Sequence, residues 1–194
     1  MNRQIHQPNS FLTRRSFFGQ GARLTLSGTA VALLAGAGGL ATTKAARGGS
    51  AENDIVILNS ALGAEREAVA AYQVGAESGL LSPGVLALAV QFQGHHKEHA
   101  DLLAQTIETL GGKPAPAPAS YDFPVDQLKS EADVLGFAAG LEKGAVSAYL
   151  GAVPLFENRD LSKAAASILG DEAMHWAVLR GAVGLDPVPV AFVT

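Results

Sequence analysis

From about Asn53 to Ser78 the apolar positions Ile55, Leu58, Leu62, Val69 and Tyr72 recur at helical spacing, with alanine filling much of the rest. The pattern predicts a first helix that Gly79 ends. Ser82-Pro83 then offers an N-cap and a proline at the first helical position, where the missing amide hydrogen is not needed. A second helix follows to about Leu110 and stops at Gly111-Gly112. The stretch Lys113 to Pro118 cannot continue it, because each proline lacks a donor and clashes with the preceding turn. With Tyr121 to Pro124 it makes a connection long enough to cross a bundle. Ser130 and Asp133 have capping-box spacing and open a third helix, which runs to about Glu157 with Pro154 set to kink its last turn. Asp160 or Ser162 starts a fourth, ending near Gly184. Residues 185–194, with Pro187 and Pro189, read as irregular. No stretch reads convincingly as a sheet strand. The expected fold is all-α, a four-helix bundle with short, long and short connections, the single crossover lying between helices two and three.

The N-terminal quarter obeys different rules. Thr13-Arg14-Arg15-Ser16-Phe17-Phe18 is a twin-arginine signature, and after Arg23 an uncharged Ala/Gly/Leu-rich stretch extends from Leu24 to Thr43. About 20 apolar residues suffice to span a membrane, but glycine and alanine make this one weakly apolar, and Ala35-Gly36-Ala37 and Thr43-Lys44-Ala45 offer cleavage sites. Residues 1–45 are therefore expected to be a cleaved export segment, with an uncleaved anchor and then a chance arginine pair as the alternatives, 46–52 a Gly/Ser-rich linker, 53–184 the bundle and 185–194 a tail. The expected location is periplasmic, or otherwise outside the membrane by the twin-arginine route, with no stable membrane association after cleavage.

Removing that segment changes the charge. The 194-residue chain has 14 basic and 18 acidic residues. Five of the bases precede Ala46 and no acid precedes Glu52, which leaves nine bases against 18 acids and a net charge near −9 after cleavage. Nucleic acids and anionic membranes both require basic patches, so neither is an expected partner. With no cysteine, disulfides and thiolate metal sites are excluded. A metal here would be held by oxygen and nitrogen.

The bundle segment repeats itself. Glu65, Ala68 and Tyr72 have the spacing of Glu142, Ala145 and Tyr149, and a histidine follows each glutamate at nearly equal distance, 34 positions to His99 and 33 to His175. Three residues before each histidine stands a second donor, His96 in one half and Glu172 in the other. Positions three and seven after a residue return to its helical face, so each glutamate lies in a small, apolar stripe that points to the core. An unpaired carboxylate there costs several kcal/mol or takes up a proton. Donors at i and i+3 project from one face, so a single helix can supply two ligands. Carboxylate with imidazole suits iron, manganese or zinc rather than copper(I).

Leu58-Asn59, Leu62, Glu65, Ala68 and Tyr72, then His99-Ala100-Asp101, resemble the first helix pair of the bacterioferritin and rubrerythrin relatives in the ferritin-like superfamily. Glu142 to Tyr149 and Glu172 to His175 resemble the second pair. The resemblance implies a ferritin-like four-helix bundle with a carboxylate and histidine metal centre, whose ligands would be Glu65, His96, His99, Glu142, Glu172 and His175. Iron, as a di-iron pair, is the implied cofactor, with manganese or zinc as alternatives. The implied role is that of an exported metal-binding protein in iron oxidation or oxidative-stress protection, with ferroxidase- or peroxidase-type chemistry. The alternative is a metal-free bundle with a structural or envelope-stress role, in which Glu65 with His99 and Glu142 with His175 are only buried pairs. Metal ions are the expected partners, and a homo-oligomer stays open. One position departs from the pattern: the family's bridging glutamate falls on His96, which lowers the ligand charge and removes a bidentate bridge. His95 and Glu98 are its neighbours on the same helix, able to replace it if that helix is rotated. Tyr72 and Tyr149 read as core aromatics with a hydroxyl partner across the bundle, and Trp176 as packing.

Overall fold

The computed structural model describes residues 49–194. The twin-arginine segment and its cleavage sites lie outside the described residues. Among the described residues four helices make the fold: α1 Gly49–Glu77, α2 Pro83–Thr109, α3 Glu131–Ala152 and α4 Arg159–Ala182, with 3₁₀ turns at Val125–Gln127 and Val153–Leu155. No strand occurs among the described residues. None of these helices is long and apolar enough to cross a membrane.

The ends show where local chemistry acts. α1 begins at Gly49, inside the segment read as a linker, because Ala51 favours helix and Glu52 in the first turn complements the helix dipole. Ser82 occupies the N-cap position of α2 with Pro83 behind it, but its side chain makes no capping bond; its backbone N–H instead donates to Glu131 at the start of α3. The Gly111-Gly112 stop has two separate causes. Gly111 adopts φ +81°, and a Cβ on Gly112 would come within 2.8 Å of Ile55. The Ser130 hydroxyl accepts from the Asp133 N–H at 3.2 Å, while Asp133 accepts from Lys129 N–H at 3.1 Å. α3 stops at Ala152, and Pro154 sits in the following 3₁₀ turn instead of kinking the helix. Asn158, not Asp160 or Ser162, caps α4, its side chain accepting from Asp160 N–H at 2.9 Å.

α1 packs along α2 and α3 along α4, and α1 meets α3 across the bundle. Tyr149 faces Glu65 and Tyr72 faces Glu142, so α1 and α3 run antiparallel. Short turns make each hairpin antiparallel too. α2 and α3 are then parallel, which is why the connection from 110 to 130 must travel the length of the bundle.

The core is divided. Leu58, Leu62, Leu103, Ile107, Phe156 and Ile168 fill one end. Tyr72, Phe92, Leu135, Ala138 and Leu179 fill the other. Between them lies a slab of buried polar residues, Glu65, His96, Glu142, Glu172 and His175. Apolar packing on both sides holds that slab away from water.

Candidate metal centre

Each helix presents its donors from one stripe. α1 contributes Glu65 and α3 contributes Glu142, each from the small-residue face the repeat defines. α2 contributes His96 and His99, and α4 contributes Glu172 and His175, each pair one helical turn apart. All six residues named from the sequence stand in one cluster. α2 is not rotated from the expected register: Glu98 is exposed, and His95 faces the cluster's outer side.

The donors sort into two lobes. Glu65, His96, His99 and Glu172 form one, and His96, Glu142, Glu172 and His175 form the other, with donor atoms in each lobe within 4.8 Å of one another. Two residues belong to both. Glu172 turns Oε1 toward His99 Nδ1 at 3.1 Å and Oε2 toward His175 Nδ1 at 3.6 Å, as a bridging carboxylate would. His96 turns Nδ1 to Glu65 Oε2 at 2.8 Å and Nε2 to Glu142 Oε1 at 3.2 Å. A neutral imidazole has one lone pair, so His96 can serve one lobe at a time.

The tyrosines cross over between the repeats. The Tyr149 hydroxyl donates to Glu65 Oε1 at 2.5 Å, and the Tyr72 hydroxyl donates to Glu142 Oε1. Each half of the repeat thus holds the other half's glutamate. Burial, and then the glutamate alongside, push both phenols well above their ordinary range, so both remain proton donors.

Charge in the metal-free cluster balances internally. Burial disfavours the charged form of His96, His99 and His175, but carboxylates on each side outweigh it and raise them to about 11, about 9 and about 9. Burial would raise Glu65 and Glu142, yet their histidine neighbours hold both below the ordinary carboxylate range. Glu172, deepest of all and beside Glu142, is pushed up to about 6. Near neutral pH three imidazolium groups therefore face three carboxylates.

This balance does not satisfy every atom. Six buried side-chain atoms among the described residues make no hydrogen bond, and five belong to this cluster: His99 Nδ1, Glu142 Oε2, both Glu172 oxygens and His175 Nδ1. His99 Nδ1 and His175 Nδ1 stand at ion-pair distance from the two Glu172 oxygens, 3.1 and 3.6 Å, without hydrogen-bond geometry. Buried polar atoms left this way are uncommon. Three carboxylates and three imidazoles converging here fit a divalent cation of the iron, manganese or zinc kind.

The residue sequence reasoning missed is Asp171. Its Oδ2 lies 3.3 Å from His175 Nε2 and 3.5 Å from His99 Nε2, so one carboxylate addresses the outer nitrogen of both histidines. When these histidines are neutral, such a partner favours the proton on Nε2 and the Nδ1 lone pair directed inward. Asp171 directly precedes Glu172 and lies off the stripe of the six candidate donors, so their i and i+3 spacing does not point to it.

A family model described as a ferritin-like domain matches residues 53–185. Among solved structures, a conserved hypothetical protein from Mycobacterium tuberculosis is 26% identical with a TM-score of 0.63, over 73% of this chain and 97% of its own. A ferritin-like, diiron-carboxylate protein from Bacillus anthracis is 21% identical with a TM-score of 0.59, over 69% of this chain and 97% of its own. At that identity the second likeness is one of fold alone. No curated protein matches the chain significantly.

Proposed function

The chain belongs to the ferritin-like domain family, and from that premise we propose that it is an exported protein binding a divalent transition metal, iron foremost, for iron oxidation or protection against oxidants. The observation that carries the metal reading is the set of five buried donor atoms that converge without hydrogen bonds. Iron held there would supply one-electron chemistry toward oxygen or peroxide. Export rests on the Arg14-Arg15 leader and the absence of any acid before Glu52.

The chain's own residues define what the site can do. Glu65, Glu142 and Glu172 supply the negative charge that offsets a cation. Asp171 and the tyrosine hydroxyls fix which atoms face inward. The apolar ends of the bundle exclude bulk water. His96 makes the site unsymmetrical, and the proposal is accordingly for unequal lobes and not an equivalent metal pair. Because the three histidines are protonated in the metal-free protein, binding must release protons.

Elemental analysis of the purified protein, beside a Glu142→Ala and His175→Ala double variant, tests the reading. Metal near one equivalent or more in the first and little in the second is expected; negligible metal in both would sink it. The internal balance of three imidazolium groups and three carboxylates favours one rival, a metal-free bundle whose polar slab only sets helix register. That rival requires replacement of Glu65 and His99 by apolar residues to leave stability unchanged or higher, with metal present or absent.

A further inference from the structure

Two donors outside the six, His95 and Asp171, form a triangle with His175. His95 Nδ1 lies 2.9 Å from His175 Nε2 and 3.1 Å from Asp171 Oδ2, and His175 Nε2 lies 3.3 Å from Asp171 Oδ2. We propose that His95, Asp171 and His175 make a second, outer metal site of two imidazoles and one carboxylate, which holds an incoming divalent ion before it reaches the buried ligands. This proposal rests on the metal reading of the inner cluster.

The edge lengths support it. Metal bonds to imidazole nitrogen and carboxylate oxygen are about 2.0–2.2 Å, so neighbouring donors stand about 3.0 Å apart around an octahedral ion and about 3.4 Å apart around a tetrahedral one. All three observed edges lie near that range. Two imidazoles and one carboxylate on a single face, with the opposite positions open, form a recognised iron(II)-binding arrangement. The 2.9 Å edge between His95 Nδ1 and His175 Nε2 brings two ring nitrogens together, with room for at most one proton between them. A cation satisfies all three acceptors at once.

Its place in the fold gives it a role. His95 is 33% exposed, Asp171 23% and His99 14%, whereas Glu172 is fully buried. Among the ligating residues, exposure rises only in this direction. An ion from solvent therefore meets the outer triangle first. His175 belongs to both sites: Nδ1 faces Glu142 and Glu172, and Nε2 faces His95 and Asp171. The Phe92 ring stacks on it with centroids 4.0 Å apart and planes at 24°, which holds the imidazole plane in this two-way orientation. A neutral His175 offers its lone pair inward or outward, not both, so occupancy of the outer site ends as the inner lobe takes the ligand.

Cobalt(II), added to the full-length protein and followed by its visible absorption, tests the outer site directly. In a Glu65→Gln and Glu142→Gln variant, checked for helix content, one cobalt per chain is expected to remain, with anomalous scattering beside His95, and adding His95→Ala should abolish it. In the otherwise wild-type protein His95→Ala should leave the final inner metal content unchanged while slowing its loading tenfold or more. No cobalt in the first variant, or loading of His95→Ala at the wild-type rate, would overturn the proposal; where the Gln variant fails to fold, the loading rate decides alone. A wild-type protein that takes no inner metal, beside a Gln variant that still binds cobalt at His95, would instead overturn the inner reading and leave the outer site standing.

Discussion

Replacing His96 with glutamate tests how the metal-free centre holds itself together and why it departs from a symmetrical one. His96 is 1% exposed and pairs with Glu65 at 2.8 Å and Glu142 at 3.2 Å, a buried cation between two carboxylates. Removing one partner of a buried ion pair costs about 3–5 kcal/mol, and two charge-assisted hydrogen bonds at about 1.5–3 kcal/mol each give the same scale. His96→Glu loses both bonds and adds a fourth carboxylate, part of whose repulsion is relieved by taking up a proton. A loss of at least about 3 kcal/mol follows, roughly 6–12 °C in unfolding temperature at 2–4 °C per kcal/mol for a domain of this size. A divalent metal reverses the sign, since four carboxylates and two histidines offer ligand charge −4 where the wild type offers −3. Thermal unfolding in chelator and in excess manganese(II), with bound ions weighed by native mass spectrometry, reads both effects. The variant should be the less stable in chelator, gain more from metal than the wild type, and carry two ions per chain. A His96→Glu protein as stable as wild type in chelator and indifferent to manganese would refute the account of His96 as an internal counter-ion.

The remaining expectations concern pH and single contacts. His99 and His175 rise from an ordinary 6.5 to about 9 in the folded protein, so their contribution to stability is complete below pH 6.5 and is lost as pH climbs through about 9. In metal-bound protein those nitrogens are already neutral, and the rise in unfolding temperature on adding manganese(II) should therefore widen between pH 6.5 and 9; a constant difference counts against the assignment. On the acid side Glu65 and Glu142 are depressed, so their contribution is present above an ordinary 4.5 and is lost on acidification below it, whereas Glu172, raised to about 6, acts in the opposite sense: its contribution is complete below 4.5 and is lost as pH rises through about 6. Tyr149→Phe removes the donor to Glu65 and should lower stability in urea by about 1–3 kcal/mol with metal stoichiometry unchanged; loss of metal would make the hydroxyl part of the binding site. Asp54 is buried and accepts from the Glu157 and Asn158 N–H groups at 3.0 and 3.2 Å where α4 begins. Asp54→Ala should cost about 1–2 kcal/mol, the worth of a helix cap, and a neutral result in urea unfolding would show that water replaces it.

The parts of this molecule written in local chemistry were open to a reader of the chain. Helical period, proline breaks and glycine stops give four helices and one long crossover because each depends on a few adjacent residues. Donors at i and i+3 give the stripes of candidate donors for the same reason. Features that need two distant segments stayed hidden: Asp54 capping a helix a hundred residues away, Ser82 bonding through its backbone to Glu131, and the division of His96 between two glutamates. The start of α1 at Gly49 was obscured by glycine and serine, whose weak helix preference is overridden once the rest of the helix has formed.

Asp171 stands between these classes, because the repeat itself points to it. Matching His99 with His175 matches His96 with Glu172 and therefore His95 with Asp171. The crossed tyrosine and glutamate pairs on α1 and α3 give the two halves an approximate twofold relation. Residues matched by such a relation meet only if they lie near its axis, and His95 and Asp171 do meet, at 3.1 Å. The axis therefore passes from between α1 and α3, through the shared positions His96 and Glu172, and out between His95 and Asp171, where the cluster opens to solvent. Among the donor positions the halves differ at two, imidazole against carboxylate at 96 and 172 and again at 95 and 171, and both lie along it. A perfectly repeated chain would set like against like at each crossing, two carboxylates or two imidazoles. The mismatch instead pairs a base with an acid at both levels, which stabilises the metal-free bundle and leaves mixed nitrogen and oxygen donors along the line by which an ion would travel inward.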